Sequence, residues 1–401
     1  MKPTLQVEYA ARTRPTKKDQ DCFFVVPHST HALTCGITDG HSVHDLLSGR
    51  QHAEAAAQHL GSDLWKRVRG ELVGPAVDSI REETDDAQYP SGSVEGSAVS
   101  SAVGGGGGVV EKNVPQISAQ SGGASATLID AATESFLAHQ RRCEQRYRRD
   151  VAGAILAKKE ELEKEIGEEL PLELPQEGGT TATALVIYPD GILAAWVGDS
   201  RAVIAMDAAA DGEPGAGASG LRAVALTTDH NTEDLTEKNR LEGAGGRAGG
   251  AGMNGHVSVP QAEGSLKVTR SLGDSPFHKD DAVSAIPGVV HIPLSPAIRF
   301  AVIASDGIWD HLSNSDVVDI IAQAMRTSTG ADRPTGPGFD SATPAPPGIS
   351  KQRSNVAVIS AAASAACEAV LDRIDRGQES GELDRSHQDD RSICVVLLSK
   401  R

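Results

Sequence analysis

Seven short apolar runs, spread from one end of the chain to the other, constrain the fold more than any other feature. They are Cys22–Val26, Ala32–Ile37, Ala182–Tyr188, Ile192–Val197, Ala202–Met206, Phe300–Ala304 and Ile393–Leu398. Each is too short for a helix to bury itself and rich enough in Val, Ile and Ala to form a buried strand. Tyr188-Pro189-Asp190-Gly191 supplies turn chemistry between two of them, so 182–206 reads as an antiparallel meander. Helical periodicity lies between the runs: residues 45–69, 133–170, 314–326 and 354–376. In the second stretch Tyr147, Val151, Ile155, Leu162, Ile166 and Leu170 recur on one face. Asn314 stands where the third helix would be capped. Groups of strands separated by long helices, without strict βαβ alternation, predict an α+β layered fold with antiparallel sheets.

Composition narrows the class. With 55 acidic against 38 basic residues the net charge is −17, which opposes binding to nucleic acid or an anionic membrane surface. Aromatic residues make up only 3%, so the core must be built from Val, Ile, Leu and Ala. Five cysteines without CxxC spacing argue against a disulfide scaffold and a thiolate zinc site. The amino terminus lacks an apolar signal core and no stretch suits a membrane span, so an intracellular location, cytoplasmic or nuclear, is expected. Three Gly/Ser/Pro-rich segments, 88–125, 207–220 and 327–350, read as flexible inserts within a single domain spanning 1–401. The glycine run Gly104–Gly108 is not followed by Lys-Ser/Thr, which removes the phosphate-loop reading.

The chemistry lies in where aspartates meet the strands. Asp21 enters one run, Asp39, Asp199 and Asp306 leave others, and Asp389-Asp390 enter the last. In an antiparallel pair the residue entering one strand and the residue leaving its neighbour share an edge, so these carboxylates are expected on one rim. Grouped carboxylates repel unless cations neutralise them, and an all-oxygen set favours Mg²⁺ or Mn²⁺. The competing reading is that aspartate is simply a common turn residue near strand ends.

The motifs, in order, resemble those of the metal-dependent serine/threonine phosphatases, the protein phosphatase 2C family. Asp19-Gln20-Asp21, Thr38-Asp39-Gly40-His41, Gly178–Ala182, Val197–Val203, Leu226–His230 with Glu237, Arg240, Gly245 and Gly246, Leu266–Asp274, Ile303–Asp310 and Asp389–Ser392 each have a counterpart there. The resemblance implies a central β-sandwich flanked by helix pairs on both faces, in four layers α-β-β-α. It implies two Mg²⁺ or Mn²⁺ ions bridged by Asp39, the second also bound by the Gly40 carbonyl. Asp306 and Asp389 would hold the first ion, Asp21 would lie in the shell of the second, and Asp199 with Asp306 would hold a weaker third. A water or hydroxide bridging the ions would attack phosphoserine or phosphothreonine in a phosphoprotein substrate, with His41 as general acid. The chain would act as a monomer.

Three positions depart from the family pattern: Ser42-Val43 replaces Gly-Gly, Gln20 stands where many members carry Glu, and Arg14 is the nearest candidate for the phosphate-binding arginine. They raise the alternative of a pseudophosphatase, the same fold used as a binding module. Asp229-His230 reads as turn chemistry, Arg270 and Asp274 as braces of loop packing, and 141–169 as the solvated face of a helix with pairs such as Lys159–Glu163.

Overall fold

The computed structural model describes residues 5–42, 46–73, 123–167, 177–208, 217–249, 255–260, 262, 264–328, 358–385 and 388–400. In chain order, β1 (Leu5–Arg14), β2 (Asp21–Ser29) and β3 (Ala32–His41) precede α1 (Leu46–Val73), α2 (Gly123–Arg146) and α3 (Gly153–Ile166). The meander follows: β4 (Gly179–Thr180), β5 (Ala182–Tyr188), β6 (Gly191–Val197), β7 (Arg201–Asp207) and β8 (Leu221–Ala225). A smaller lobe carries α4 (Leu235–Gly243), β9 (Arg247–Ala248), β10 (Val257–Ser258) and β11 (Leu272–Gly273). The chain closes with β12 (Gly288–Pro293), β13 (Ile298–Ala304), α5 (Asp306–Trp309), α6 (Asn314–Ser328), β14 (Val358–Ile359), α7 (Ala361–Ser380) and β15 (Arg391–Lys400).

Two sheets form the centre. One runs β14-β1-β15-β13-β7-β8; the other runs β11-β4-β3-β5-β6-β12, with β2 also paired to β3. Apart from the parallel β1–β14 pair, the strand pairs are antiparallel. Leu33, Cys35 and Ile37 of β3 point between the sheets, where they meet Leu185, Ile187, Ile204, Ile303 and Val396. The opposite faces pack on helices. Phe24, Ala184 and Val186 contact Leu60, Leu64 and Phe136 of α1 and α2, while Phe300 and Val302 contact Val317, Ile321, Val370 and Ile374 of α6 and α7. Both faces of each sheet are therefore covered, which is why the strands read as continuous apolar runs. Each fully buried Val, Ile or Leu contributes about 1.5–3 kcal/mol, so an aliphatic core suffices without many aromatics. The four-layer α-β-β-α arrangement is the one expected.

All seven predicted strands are present; Ala182–Tyr188 keeps its predicted bounds and the other six are extended by one to four residues at one or both ends. β1, β8 and β12 escaped prediction because charged or half-buried residues interrupt them (LQVEYAARTR, LRAVA, GVVHIP). The expected helix 133–170 is longer at its start and broken: α2 begins at Gly123, and a π-helical turn, Tyr147–Ala152, separates it from α3. Leu170 lies outside the described residues. The predicted 354–376 helix instead starts at Ala361, because Val358–Ile359 pairs with β1 and Ser360 accepts a hydrogen bond from the amide of Ala363. Asn314 is not the cap of α6. Ser313 and Asp316 exchange side-chain and backbone hydrogen bonds in a capping box, and Asn314 Oδ1 accepts from Arg201 instead. Lys159 and Glu163 form the predicted ion pair at 3.3 Å.

Residues 88–122 and 329–350 of the proposed inserts lie outside the described residues, as do 209–216. The described ends of the inserts are structured. Asp207 belongs to β7, Gly123–Ser125 to α2, and the amides of Ala218 and Ser219 donate to Asp319 of α6. Among the described residues no helix is long and apolar enough to cross a membrane.

Candidate active site

One end of the sandwich gathers the acidic strand ends. Asp21 lies directly opposite Asp39 in the β2–β3 register, and Asp306 follows β13 where that strand pairs with β15 just after Asp389 and Asp390. The two sheets are tied together at this rim by Ser305. Its Oγ donates to Asp21 Oδ2 at 2.8 Å and accepts from the amide of Ser392 at 3.0 Å. Asp390 fastens the incoming loop: its carboxylate accepts from the Thr16 amide and hydroxyl and from the amides of Gln20 and Asp21. Burial would raise its pKa, yet these bonds hold it below the usual carboxylate range. Sequence reasoning placed Asp390 beside the site but gave it no task; its signal was the doubled acid before a strand.

Asp39 sits at the centre. Thr180 and Thr181 hold its backbone, with the Thr181 amide donating to its carbonyl at 2.9 Å and Thr181 Oγ1 accepting from its amide at 3.2 Å. Its carboxyl feels the like charges of Asp21 and Asp306. The next residue has to be glycine, since a Cβ on Gly40 would lie 2.3 Å from the Gly49 carbonyl oxygen at the start of α1. Asp199 reaches the rim through the turn at Gly198, whose φ of +95° is a left-handed value.

The electrostatics follow from burial and like charge. Burial first, and then neighbouring acids, push Asp21 up to about 7 and Asp306 up to about 6. The same causes, in the same order, raise Asp199 to about 8 and Asp39 well above its ordinary value. Asp306 Oδ1 is buried with no hydrogen-bond partner among the described residues. No three His, Cys, Asp or Glu side chains among the described residues stand as a ready metal cage. The donor set nevertheless suits hard divalent cations: hydrogen-bonded carboxylates, an orphaned buried oxygen and a nearby backbone carbonyl, all oxygen.

His41 flanks the carboxylates and is held by a residue read from sequence as a loop brace. Its Nε2 lies 2.7 Å from Asp274 Oδ2, and Ser271 Oγ donates to the same oxygen at 2.6 Å. Asp274 is 1% exposed and adopts a left-handed φ of 47°. A Cβ on Gly179 would fall 2.0 Å from Asp274 Oδ2, so the glycine is what lets that carboxylate approach. Burial opposes the His41 imidazolium, but the Asp274 charge and hydrogen bond outweigh it and raise its pKa. Asp274 is thus part of the site. Its loop is fixed by Arg270, which pairs with Glu237 as the brace predicted.

A cavity of about 230 Å³ opens here, lined by Asp39, Gly40, His41, Ser42, Asp199, Asp306 and Asp389, with Gln20, Thr181, His256 and the cations Lys18 and Lys267. Lys18 Nζ lies 2.7 Å from Asp389. Arg14 does not line it. Its guanidinium is spread over Glu368, Asp372 and Asp375 of α7 on the outer face of the sheet. Val43 lies outside the described residues. Asp229 and His230 are structural: Asp229 takes both Arg201 Nε and Nη2, and His230 stacks on Trp196.

Comparison with known proteins bears on the family and the fold. The family model of protein phosphatase 2C matches residues 78–343, a span that contains Asp199 and Asp306 and leaves Asp21, Asp39, His41 and Asp389 outside. Protein phosphatase ppm-1.G of Caenorhabditis elegans is 33% identical over 161 residues, covering 40% of this chain and 29% of that protein. Probable protein phosphatase 2C 44 of Oryza sativa subsp. japonica is 32% identical over 158 residues, 39% of this chain and 43% of the relative. The matches therefore span less than half the length of these relatives. Among solved structures, a serine-threonine phosphatase 2C from Toxoplasma gondii superposes with a TM-score of 0.56 at 15% identity, covering 100% of this chain and 98% of that one. A sex determining protein of C. elegans gives 0.54 at 17% identity, covering 98% of this chain and 65% of that one. At such identities the likeness is one of fold.

Proposed function

Because the chain belongs to the protein phosphatase 2C family, we propose that it hydrolyses phosphoserine and phosphothreonine in proteins at the rim just described. The observation that carries the reading is Asp39, opposite Asp21 in the β2–β3 register, beside Asp199, Asp306 and Asp389 in one cavity and flanked by the His41–Asp274 pair. Mg²⁺ or Mn²⁺ would be held by Asp39, Asp306 and Asp389 with the Gly40 carbonyl, and by Asp21 and Asp199 around them. When bound, such ions neutralise phosphoryl charge and acidify water, which is the chemistry a phosphate monoester needs.

The chain's own groups have separable tasks. Thr180 and Thr181 fix Asp39, and Ser305 fixes Asp21, so the carboxylates are oriented before any ligand arrives. Asp274 favours the protonated form of His41 and occupies Nε2, leaving Nδ1 as the nitrogen that releases a proton to the departing serine or threonine oxygen. Lys18 and Lys267 meet phosphoryl oxygens as point charges; neither can form the bidentate fork that an arginine would provide.

The test is hydrolysis of nitrophenyl phosphate and of a phosphopeptide, with Mn²⁺ or Mg²⁺ and with EDTA. Turnover that requires a divalent ion and is abolished by Asp306→Asn is expected. An absence of turnover with every divalent ion would overturn the reading and leave a binding module.

A further inference from the structure

We propose that a second cavity, beside the catalytic one, receives an anionic group on the substrate next to the residue being dephosphorylated, so that the preferred substrates are doubly phosphorylated or acidic around the phosphosite. The proposal rests on the phosphatase reading above. This cavity, about 350 Å³, lies between the Thr16–Gln20 loop, the end of α7 and the turn after α5. It shares Asp389 as a wall with the catalytic cavity.

Neighbouring residues divide the two spaces. Lys18 lines the catalytic cavity and Lys17 lines the second. On the far side, α5 begins with Asp306 in the first cavity, and His311, just past its end, lines the second. Asp390 pins the loop between them through Thr16, so the spacing of the two cavities is fixed by the fold.

The lining selects the occupant. Among the described residues no apolar side chain lines the second cavity, which disfavours a hydrophobic substrate residue. Its one carboxylate is already satisfied: Asp389 Oδ2 takes the Lys18 ammonium and Oδ1 accepts from the Asp390 amide. Lys17 is exposed, and Arg391 commits Nη1 to Asp375. With that carboxylate paired to Lys18, the cations on the lining are Lys17 and Arg391, in a chain whose net charge is −17. A phosphoryl or carboxylate group is the ligand such a lining recognises.

The experiment compares kcat/KM on peptides that carry one phosphoserine with a neutral flank against peptides that add a second phosphoserine, or an aspartate, at each position from three before to three after. The wild-type chain should favour at least one of the flanked peptides by roughly tenfold, mainly through KM. Lys17→Glu should erase that gain while turnover of nitrophenyl phosphate and of the neutral peptide stays the same. His311→Ala should reduce it in part. Equal rates on flanked and neutral peptides, with nitrophenyl phosphate still turned over, would overturn the subsite alone. Loss of all turnover would instead sink the phosphatase reading. If inorganic phosphate alters nitrophenyl phosphate turnover in a Lys17-dependent way and flanking anions have no effect, the cavity reads free phosphate and the substrate proposal fails.

Discussion

At the scale of single residues, the feature with the most consequence is the His41–Asp274 pair. A general acid matters most when the leaving group is poor, as a serine alkoxide is, and little when it is nitrophenolate. His41→Gln is therefore expected to lose on the order of 10²–10⁴-fold on a phosphopeptide and far less on nitrophenyl phosphate. Asp274→Asn should act through His41 and not on metal binding: it removes the charge that raises the imidazole pKa, so that pKa falls. A His41 titration by NMR, together with the two-substrate comparison, checks both. Equal losses on the two substrates in His41→Gln would reassign His41 to orienting water. The sequence singled out His41 because it follows Asp39-Gly40. It could not single out Asp274, because the two residues lie 233 positions apart and only the contact of β4 with β11 brings them together.

At the scale of elements, the lobe around α4 is held by one carboxylate. Glu237 is 3% exposed and pairs with Arg240 and Arg270, while Thr269 Oγ1 donates to it. Burial would raise its pKa, but Arg270 and then Arg240 overcome that and hold it at about 2, below the ordinary 4.5. A carboxylate depressed on folding contributes stability above its unfolded pKa and loses it as pH falls through the folded one. The contribution of this clamp should be intact above about pH 4.5 and fade as the pH drops toward about 2. Glu237→Gln should cost about 1–3 kcal/mol at neutral pH by leaving two guanidinium groups without their counter-charge, and should flatten the acid limb of the stability profile. Urea melts of both proteins between pH 2.5 and 7 measure this; parallel acid limbs would reject it. Local sequence announced α4 poorly, since a polar nine-residue helix has little apolar face to read.

At the scale of the whole molecule, the rim trades stability for function. Asp39 is half-buried among Asp21, Asp306, Asp389 and Asp199, in a chain already at −17. Without divalent ions, Asp39→Asn should relieve repulsion and raise the melting temperature by roughly 2–4 °C for each kcal/mol recovered. Mn²⁺ at about 100 times its dissociation constant should stabilise the wild-type protein by about 2.7 kcal/mol, and the variant much less. Thermal scans with Mn²⁺ and with EDTA check the pair of outcomes. A variant that melts lower in EDTA and gains as much from Mn²⁺ would contradict the placement of Asp39 at the centre of the site.

What the sequence determined alone was seven of the central strands, the layered α+β class and the edge on which the acids meet. Strand period and strand direction are local properties, and antiparallel pairing places Asp21 opposite Asp39 without further information. Motif order carried the family as well. The tertiary structure decided what depends on long-range packing. It drew Arg14 away from the cavity onto the carboxylates of α7, because β1 lies beneath that helix. It broke the long helix at Tyr147–Ala152, moved the start of α7 to Ala361 and made Asp390 the anchor of the Thr16–Gln20 loop. The positions of Arg14, of the chain before α7 and of Asp390 turn on partners hundreds of residues away, and no periodicity in the chain encodes that choice.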